Sequence, residues 1–419
     1  MTRLGSYLKL AWKVLQRRRF FTFASLFGVS FTLLVLCVAA AAMDQLFGPH
    51  PPETRLGRTL GVYGLAMSGE SPGGGRSTRT GFPGYRFLDL HLRDLPGAER
   101  VAIFQLQRSV DSYLGGRKIT SYLKRADGAY WQVLDFEFLE GEPFTAEDER
   151  QARPVAVINA RTRERFFGGA PAVGRTLEVD GQRFRVVGVV PDVSMLRVVA
   201  FADVWVPIST ARSDSYKHED VADFMGLVLA PPERFDALRR EFGERLARAE
   251  SADPAAFDTF HGGLETFFEF ASRMLLSQRL EEARPGALRA LLGGAALLFM
   301  LLPAINLVNL NLSRILERGS EIGVRKAFGA SSRTLIGQFL VEGLVLSLLG
   351  GAVALVLCAL TLRGINASGL IPYAQLTLNP RVFLWGLLFA TVFGLLSGLY
   401  PAWRMARLHP VESLRGRSL

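Results

Sequence analysis

The chain has 419 residues, a net charge of +10 at pH 7 and a hydrophobic fraction of 49%. Its mean hydropathy of +0.20 is too low for a chain made of membrane spans throughout, yet high for a wholly soluble one, so both a membrane part and a soluble part are predicted. The two cysteines, Cys37 and Cys358, lie in apolar segments and exclude a disulfide framework or a cysteine metal cluster.

Four apolar segments meet the requirements for membrane spans. Residues 20–43 are apolar and uncharged, and about 24 residues suffice to cross the hydrocarbon core of a bilayer. A cleavable signal peptide is the alternative for this first segment, although its length favours an uncleaved anchor. The other three candidate spans are residues 287–312, 340–362 and 382–399.

Charge orients these spans. Residues 1–19, 313–339 and 400–419 together carry 15 basic and 3 acidic side chains, whereas residues 44–286 carry 31 and 35. Because basic loops stay on the cytoplasmic side, both termini are predicted inside and residues 44–286 outside. The basic excess follows the span ends, which excludes nucleic acid as the reason for the pI of 9.9.

The outer segment combines helical and strand patterns, as in an α/β domain. Residues 44–81 are loop-like, and the strongest local signal is a hairpin across Asp180 and Gly181. The pattern over 260–288 predicts a stalk helix that enters the second span and is interrupted near Pro285. An ordinary core helix of the outer domain has the same periodicity, and only continuity with the span favours the stalk.

A short charged stretch, 317–332, separates the second and third spans. It predicts a two-sided helix that carries both charged and apolar side chains, Phe328 among the latter, with Gly329 as a C-cap and Ser331 or Ser332 capping the next helix. A solvated loop on the cytoplasmic side is the alternative interpretation. The stretch resembles the cytoplasmic signature of the MacB/FtsX family of ABC-transporter permeases, at Glu317, Arg318, Glu321, Ile322, Gly323, Arg325, Lys326, Ala327, Gly329 and Ala330.

Two further regions carry the same resemblance. Residues 155–192 are similar to the periplasmic core domain of MacB-type permeases, which implies two subdomains, an insert over about 136–213 and an enclosing part over about 53–135 and 214–258. The tail, which also contains Arg404, is similar to the C-terminal segment of such permeases at Pro401, Ala402, Ala406, Pro410, Val411, Glu412, Leu414 and Arg415.

Polar and small residues inside the spans predict helix packing. Asn306 and Asn309 are expected to join helices or to line a path, and Glu342 is expected at the interface or paired with Arg333 or Arg325. Gly394 and Gly398 form a weak close-packing motif in the fourth span.

The resemblance implies a function, and a location in the plasma (inner) membrane of a bacterium. The chain is expected to be a non-catalytic permease subunit with four transmembrane helices and an extracytoplasmic α/β (α+β) domain of two subdomains between the first and second spans. Its domains would be 1–19 cytoplasmic, 20–43 first span, 44–258 core domain, 259–286 stalk, 287–312 second span, 313–339 coupling loop, 340–362 third span, 363–381 outer loop, 382–399 fourth span and 400–419 cytoplasmic tail.

Partners and cofactors follow from the same resemblance. No phosphate-binding loop of the type Gly-x-x-x-x-Gly-Lys-Ser/Thr occurs, so ATP and Mg are expected on a separate cytoplasmic ABC ATPase dimer, with no cofactor or metal in this chain. A second permease chain, identical or different, membrane lipids and a periplasmic adaptor complete the expected partners. The alternatives within the superfamily are lipoprotein release and FtsX-like regulation of a cell-wall hydrolase; a membrane-anchored sensor or adhesion protein would leave the 317–332 stretch unexplained.

Overall fold

The structure, a computed structural model, describes residues 5, 13, 15–17, 19–70, 75–276, 283–317, 324, 328 and 331–407. The chain divides into two compact units. The helical unit comprises Met1–Asp44, Ala290–Ser368 and Leu376–Leu419, and the α/β unit comprises Gln45–Arg289 together with Gly369–Gln375.

Long apolar helices build the helical unit. With helices numbered along the chain, these are α1 (Arg19–Phe47), α8 (Pro285–Glu317), α9 (Ser332–Ser368) and α10 (Pro380–Arg407). Within the described part of the chain, Arg19–Phe47 and Ile336–Ser368 are long and apolar enough to cross a membrane. The corresponding apolar stretches of α8 and α10, Pro285–Leu301 and Pro380–Val392, are shorter. Two candidate spans are therefore present, and the count of four stays a prediction.

Small residues allow three of these helices to pack closely. A Cβ atom added to Gly350 of α9 would lie 2.8 Å from the Val29 Cγ1 atom of α1. A Cβ atom added to Gly386 of α10 would lie 3.0 Å from the Leu33 Cδ2 atom of α1. Both distances are shorter than ordinary carbon–carbon contact, so α1 approaches its neighbours where glycine removes the side chain.

Ala354 and Cys358 continue the Gly350 stripe along α9 at a spacing of four residues, and both are buried. Cys358 of this face lies beside Cys37 of α1. Since residues four apart lie on one helix face, this small-residue face extends over at least two turns of α9.

Two β-sheets form the framework of the α/β unit. A ten-stranded sheet has the order β1-β13-β4-β6-β11-β8-β10-β7, with β5 beside β6 and β9 beside β10, and a four-stranded sheet has the order β12-β3-β2-β14. The strands are β1 (Thr59–Val62), β2 (Leu65–Glu70), β3 (Arg76–Pro83), β4 (Arg100–Gln105), β5 (Arg108–Leu114), β6 (Arg117–Ala126), β7 (Glu140–Gly141), β8 (Val155–Asn159), β9 (Thr176–Val179), β10 (Gln182–Val190), β11 (Val204–Pro207), β12 (Val221–Ala222), β13 (Phe224–Leu229) and β14 (Thr259–Gly262).

Most pairs in the large sheet are antiparallel. The exceptions are β8 with β10 and β6 with β11, which are parallel. The inner strands β8 and β13 are buried along their whole length, as expected for strands covered on both faces. The helices beside the sheets are α2 (Tyr85–His91), α3 (Tyr130–Val133), α4 (Ala146–Arg150), α5 (Ala160–Phe167), α6 (Phe235–Ala247) and α7 (Phe267–Leu276).

The predicted hairpin is confirmed. Strands β9 and β10 pair antiparallel, with Val179 opposite Gln182. Asp180 and Gly181 have φ angles of 54° and 61°, the left-handed pair that a two-residue turn of this kind requires.

Two element predictions were wrong. Residues 44–81 were expected to be loop-like, but they contain β1, β2 and the start of β3, held mainly by partners that are distant in sequence. The stalk helix was expected over 259–286, but residues 259–262 form β14, which pairs with β2. Helix α7 begins only at Phe267, and α8 begins at Pro285, a residue that suits the first turn of a helix.

The predicted insert, residues 136–213, shares the large sheet with its surroundings. Its strands β8, β10 and β11 belong to the same sheet as β6, because four residues of β11 pair with β6. The sheet therefore runs across the proposed subdomain boundary.

Candidate functional site

The connection between α8 and α9 carries an exposed apolar turn. Phe328 donates its backbone N–H to the carbonyl of Val324 at 3.0 Å, the i to i−4 pattern of a helix. The side chain of Phe328 is 88% exposed and that of Val324 is 45% exposed. Because residues four apart share one helix face, the two side chains form a small apolar surface available to another molecule.

Ser331 fixes the start of α9. The backbone N–H of Thr334 donates to the Ser331 Oγ atom at 3.2 Å. This is the N-cap arrangement, in which a side-chain oxygen satisfies a free N–H of the first turn. Of the two predicted caps, Ser331 and Ser332, the structure selects the first.

The structure places only some of the predicted coupling and tail residues. Glu317 is the last residue of α8, and Pro401 and Arg404 belong to α10. The coupling role of the 317–333 segment stays a prediction. The predicted residues outside the described part of the chain are Arg318, Glu321, Ile322, Gly323, Arg325, Lys326, Gly329, Pro410, Val411 and Glu412.

Among the residues predicted to pack the helices, the structure gives a side-chain contact for Glu342. Its carboxylate is buried and accepts a hydrogen bond from the Gln338 Nε2 atom at 3.0 Å. The predicted position of Glu342 at the interface or beside Arg333 or Arg325 stays a prediction. The Gln338 partner was not predicted, although a spacing of four residues along a helix signals such a pair. Asn306 and Asn309 lie on α8, and Gly394 and Gly398 lie on α10.

The small-residue face of α9 was also missed. The Gly394–Gly398 motif stays a prediction, and the structure shows a tight contact at Gly350, which was not predicted. The spacing of Gly350, Ala354 and Cys358 is the signal that could have revealed it.

A buried ionic cluster lies in the α/β unit. Arg197 Nη1 is 3.3 Å from Glu53 Oε2, both side chains are nearly fully buried, and the same nitrogen donates to the Gly48 carbonyl at 2.7 Å. Lys124 Nζ donates to the Val199 carbonyl at 2.5 Å. Burial lowers the pKa of Lys124 to about 7, and the charge of Glu53 opposes that shift. These contacts anchor residues 48–53 on the core, which is a structural role.

Within the described ranges, no three His, Cys, Asp or Glu side chains are placed together so that they could hold a metal ion.

Two known family domains match this chain. Residues 21–245, more than half of the chain, match the MacB-like periplasmic core domain. Residues 293–410 match the FtsX-like permease C-terminal domain. The chain belongs to the MacB-like family of ABC-transporter permeases. The predicted family is thereby confirmed, and MacB-like membership makes this a membrane protein of the permease type.

Related proteins of the MacB-like family are named as exporters. Macrolide export ATP-binding/permease protein MacB of Chromobacterium violaceum is 28% identical over 296 residues, which cover 68% of this chain and 42% of that protein. Pyoverdine export ATP-binding/permease protein PvdT of Pseudomonas fluorescens is 26% identical over 415 residues, which cover 97% and 59%. The chain thus spans about half the length of the curated relatives it matches. These names do not favour lipoprotein release or hydrolase regulation.

Solved structures of MacB-like domains are similar in part. The periplasmic region of MacB from Actinobacillus actinomycetemcomitans is 16% identical, with a TM-score of 0.38, and the match covers 53% of this chain and 94% of that one. The extracellular domain of the noncanonic transporter YknZ is 13% identical, with a TM-score of 0.35, covering 48% and 97%. Family membership rests on the domain matches, not on these structures.

Proposed function

We propose that this MacB-like chain is the permease subunit of an ATP-driven exporter. A separate cytoplasmic ATPase, which binds ATP and Mg, docks on the 317–333 segment and moves it, and the chain itself performs no catalysis. This movement is transmitted to the α/β unit, which lies on the outer side of the membrane, and a substrate is thereby exported or released. The observation that carries the proposal is the exposed Phe328–Val324 turn in the segment that resembles the family's cytoplasmic signature.

The chemistry of the turn suits a docking contact. Burying a phenylalanine side chain contributes roughly 1.5–3 kcal/mol, and aromatic residues are frequent anchors of protein interfaces. In the proposal, Phe328 and Val324 enter an apolar recess of the ATPase. The neighbouring charges of Glu321 and Arg325 fix the orientation of the contact, as charged groups do at interface rims.

In the proposal, helix α8 transmits the displacement. It runs without interruption for 33 residues from Pro285 to Glu317, roughly 50 Å at 1.5 Å per residue. Its first residues, up to Arg289, are grouped with the α/β unit. In the proposal, a displacement at the Glu317 end is therefore carried along one continuous helix.

Co-purification with ATP hydrolysis tests the coupling. The full chain is isolated from its native cells with the subunits bound to it, and ATP hydrolysis is compared between the wild type and Phe328→Asp. We expect Phe328→Asp to lower the hydrolysis of the isolated complex at least tenfold, because the variant would bury a charge in an apolar contact. Glu321→Ala and Arg325→Ala should act in the same direction.

Tyr113→Asp is the matched control, since this aromatic side chain of β5 is 73% exposed and lies far along the chain from the proposed contact. It should leave ATP hydrolysis unchanged. Recovery of no ATP-binding subunit, or full hydrolysis in Phe328→Asp, would reject the coupling role.

The remaining partners belong to the same proposal. We expect a second permease chain, identical or different, in the purified complex, and a periplasmic adaptor bound to the α/β unit. The measured mass of the complex, together with the number of distinct permease chains in it, distinguishes a homodimer from a heterodimer.

A further inference from the structure

The segment between α9 and α10 is packed into the α/β unit. Although both flanking helices belong to the helical unit, Gly369–Gln375 is grouped with the α/β unit. The backbone N–H of Met195 donates to the Pro372 carbonyl at 3.0 Å. The Gln375 Nε2 atom donates to the Asp192 carbonyl at 3.0 Å. The segment is thus docked on both sides of Tyr373.

Tyr373 provides the central contact. Its hydroxyl donates to the Asp203 Oδ1 atom at 2.5 Å, and its ring lies 6.2 Å from the ring of Phe201. Its φ angle is 54°, in the left-handed region that non-glycine residues rarely adopt. A strained backbone persists where the surrounding contacts stabilise it, so the docked conformation depends on these contacts.

Asp203, which accepts the hydrogen bond from that hydroxyl, is a buried carboxylate with further fixed donors. It is 1% exposed, and its Oδ1 atom also accepts from the Asn159 side-chain amide at 3.0 Å. Its Oδ2 atom accepts from the Tyr122 backbone N–H at 2.9 Å. These donors are all neutral, so each one matters for a buried carboxylate. Burial and the charge of Asp203 raise the pKa of the Tyr373 phenol, which keeps its proton available for donation.

We propose that Gly369–Gln375 is a strap that ties the α9–α10 connection to the α/β unit and transmits the movement of these two helices to the region around β8 and β11. The chain joins the strap to Ser368 on one side and, through four residues, to Pro380 on the other. A shift of α9 or α10 therefore either pulls on the docked strap or breaks its contacts. The transmission rests on the proposed function, whereas the docking does not.

Hydrogen exchange of the purified full chain tests the docking. The Met195 N–H is protected by the Pro372 carbonyl, so its exchange reports whether the strap is docked. Tyr373→Phe removes the hydroxyl and keeps the ring. We expect exchange at Met195 to rise roughly 10- to 100-fold, as for the loss of a hydrogen bond to a charged group, with the Phe184 N–H in β10 unchanged.

Tyr122→Phe is the matched control, because Tyr122 also packs beside Phe201 but contacts Asp203 through its backbone. It should leave the exchange at Met195 within about twofold of the wild type. Equal exchange in Tyr373→Phe and wild type would overturn the docking role of this hydroxyl.

The transmission is tested in the complex with its ATPase. A fluorophore on Tyr113→Cys, in a chain with Cys37→Ala and Cys358→Ala, reports ATP-induced change in the α/β unit. We expect Tyr373→Phe to lower the amplitude of this signal by at least half while ATP hydrolysis stays within about twofold. An unchanged amplitude with faster Met195 exchange would overturn the transmission and leave a purely structural loop.

Failure of the proposed function is a different result. It would appear as a wild-type complex with no ATP-induced signal at all, which would overturn the transmission too. The exchange measurement on the isolated chain would still decide whether the strap is docked through Tyr373.

Discussion

The ammonium nitrogen of Lys124 lies 4.9 Å from the centroid of the Phe104 ring, and both side chains are fully buried. Burial lowers the pKa of this lysine from 10.5 to about 7. Between these two pH values the unfolded chain binds more protons than the folded chain does, so the free energy of unfolding rises with pH across that window.

We predict that Lys124→Met removes most of this pH dependence. Methionine keeps a long apolar side chain over Phe104 but cannot be protonated. The measurement is the midpoint of thermal unfolding of the full chain in detergent, from pH 7 to pH 9.5. The wild type should gain stability as the pH rises, and Lys124→Met should show a flat profile.

Lys118→Met is the control for this series, because Lys118 lies exposed on β6 beside Asp111. It should keep the wild-type pH profile. A Lys124→Met profile as steep as that of the wild type would show that another group causes the slope.

The contact between Gly350 and Val29 gives a prediction for the helical unit. Gly350→Leu should destabilise the packing of α1 against α9 by about 1–3 kcal/mol or more, since there is no space for a side chain. Gly364→Leu on the same helix is the control, because no atom lies within 4 Å of a Cβ placed there. Thermal unfolding in detergent should separate the two variants, and equal midpoints would contradict the close approach.

The orientation of the chain gives a further prediction. In a background with Cys37→Ala and Cys358→Ala, Tyr113→Cys and Phe328→Cys each offer one exposed thiol. A membrane-impermeant maleimide should label Tyr113→Cys in intact cells and Phe328→Cys only after the membrane is opened. Labelling of Phe328→Cys in intact cells would reverse the predicted topology.

Local signals predicted the fold best. Asp180 and Gly181 specify their turn by backbone conformation alone, and the hairpin was found from the sequence. Phe260 has helical spacing with later aromatic residues, yet it lies in β14 opposite Met67. Its partner strand is distant in the chain, so pairing overrides periodicity in a way that a sequence window does not show.

The candidate functional residues also differ in how far the sequence predicts them. The 317–332 stretch was recognisable because its residues are contiguous, and Phe328 indeed lies exposed within it. The contact between Tyr373 and Asp203 joins residues 170 positions apart. Neither residue belongs to a motif, and only the folded chain brings the phenol to the carboxylate.

The parallel ladder between β6 and β11 bears on how the α/β unit responds to force. It joins Leu123–Ala126 to Val204–Pro207 in the buried middle of the large sheet. A hinge between these two strands would have to break this row of backbone hydrogen bonds together, each worth roughly 1 kcal/mol. A force applied to β6 should therefore reach β11 with little bending, and the two strands should move together as one stiff part of the sheet.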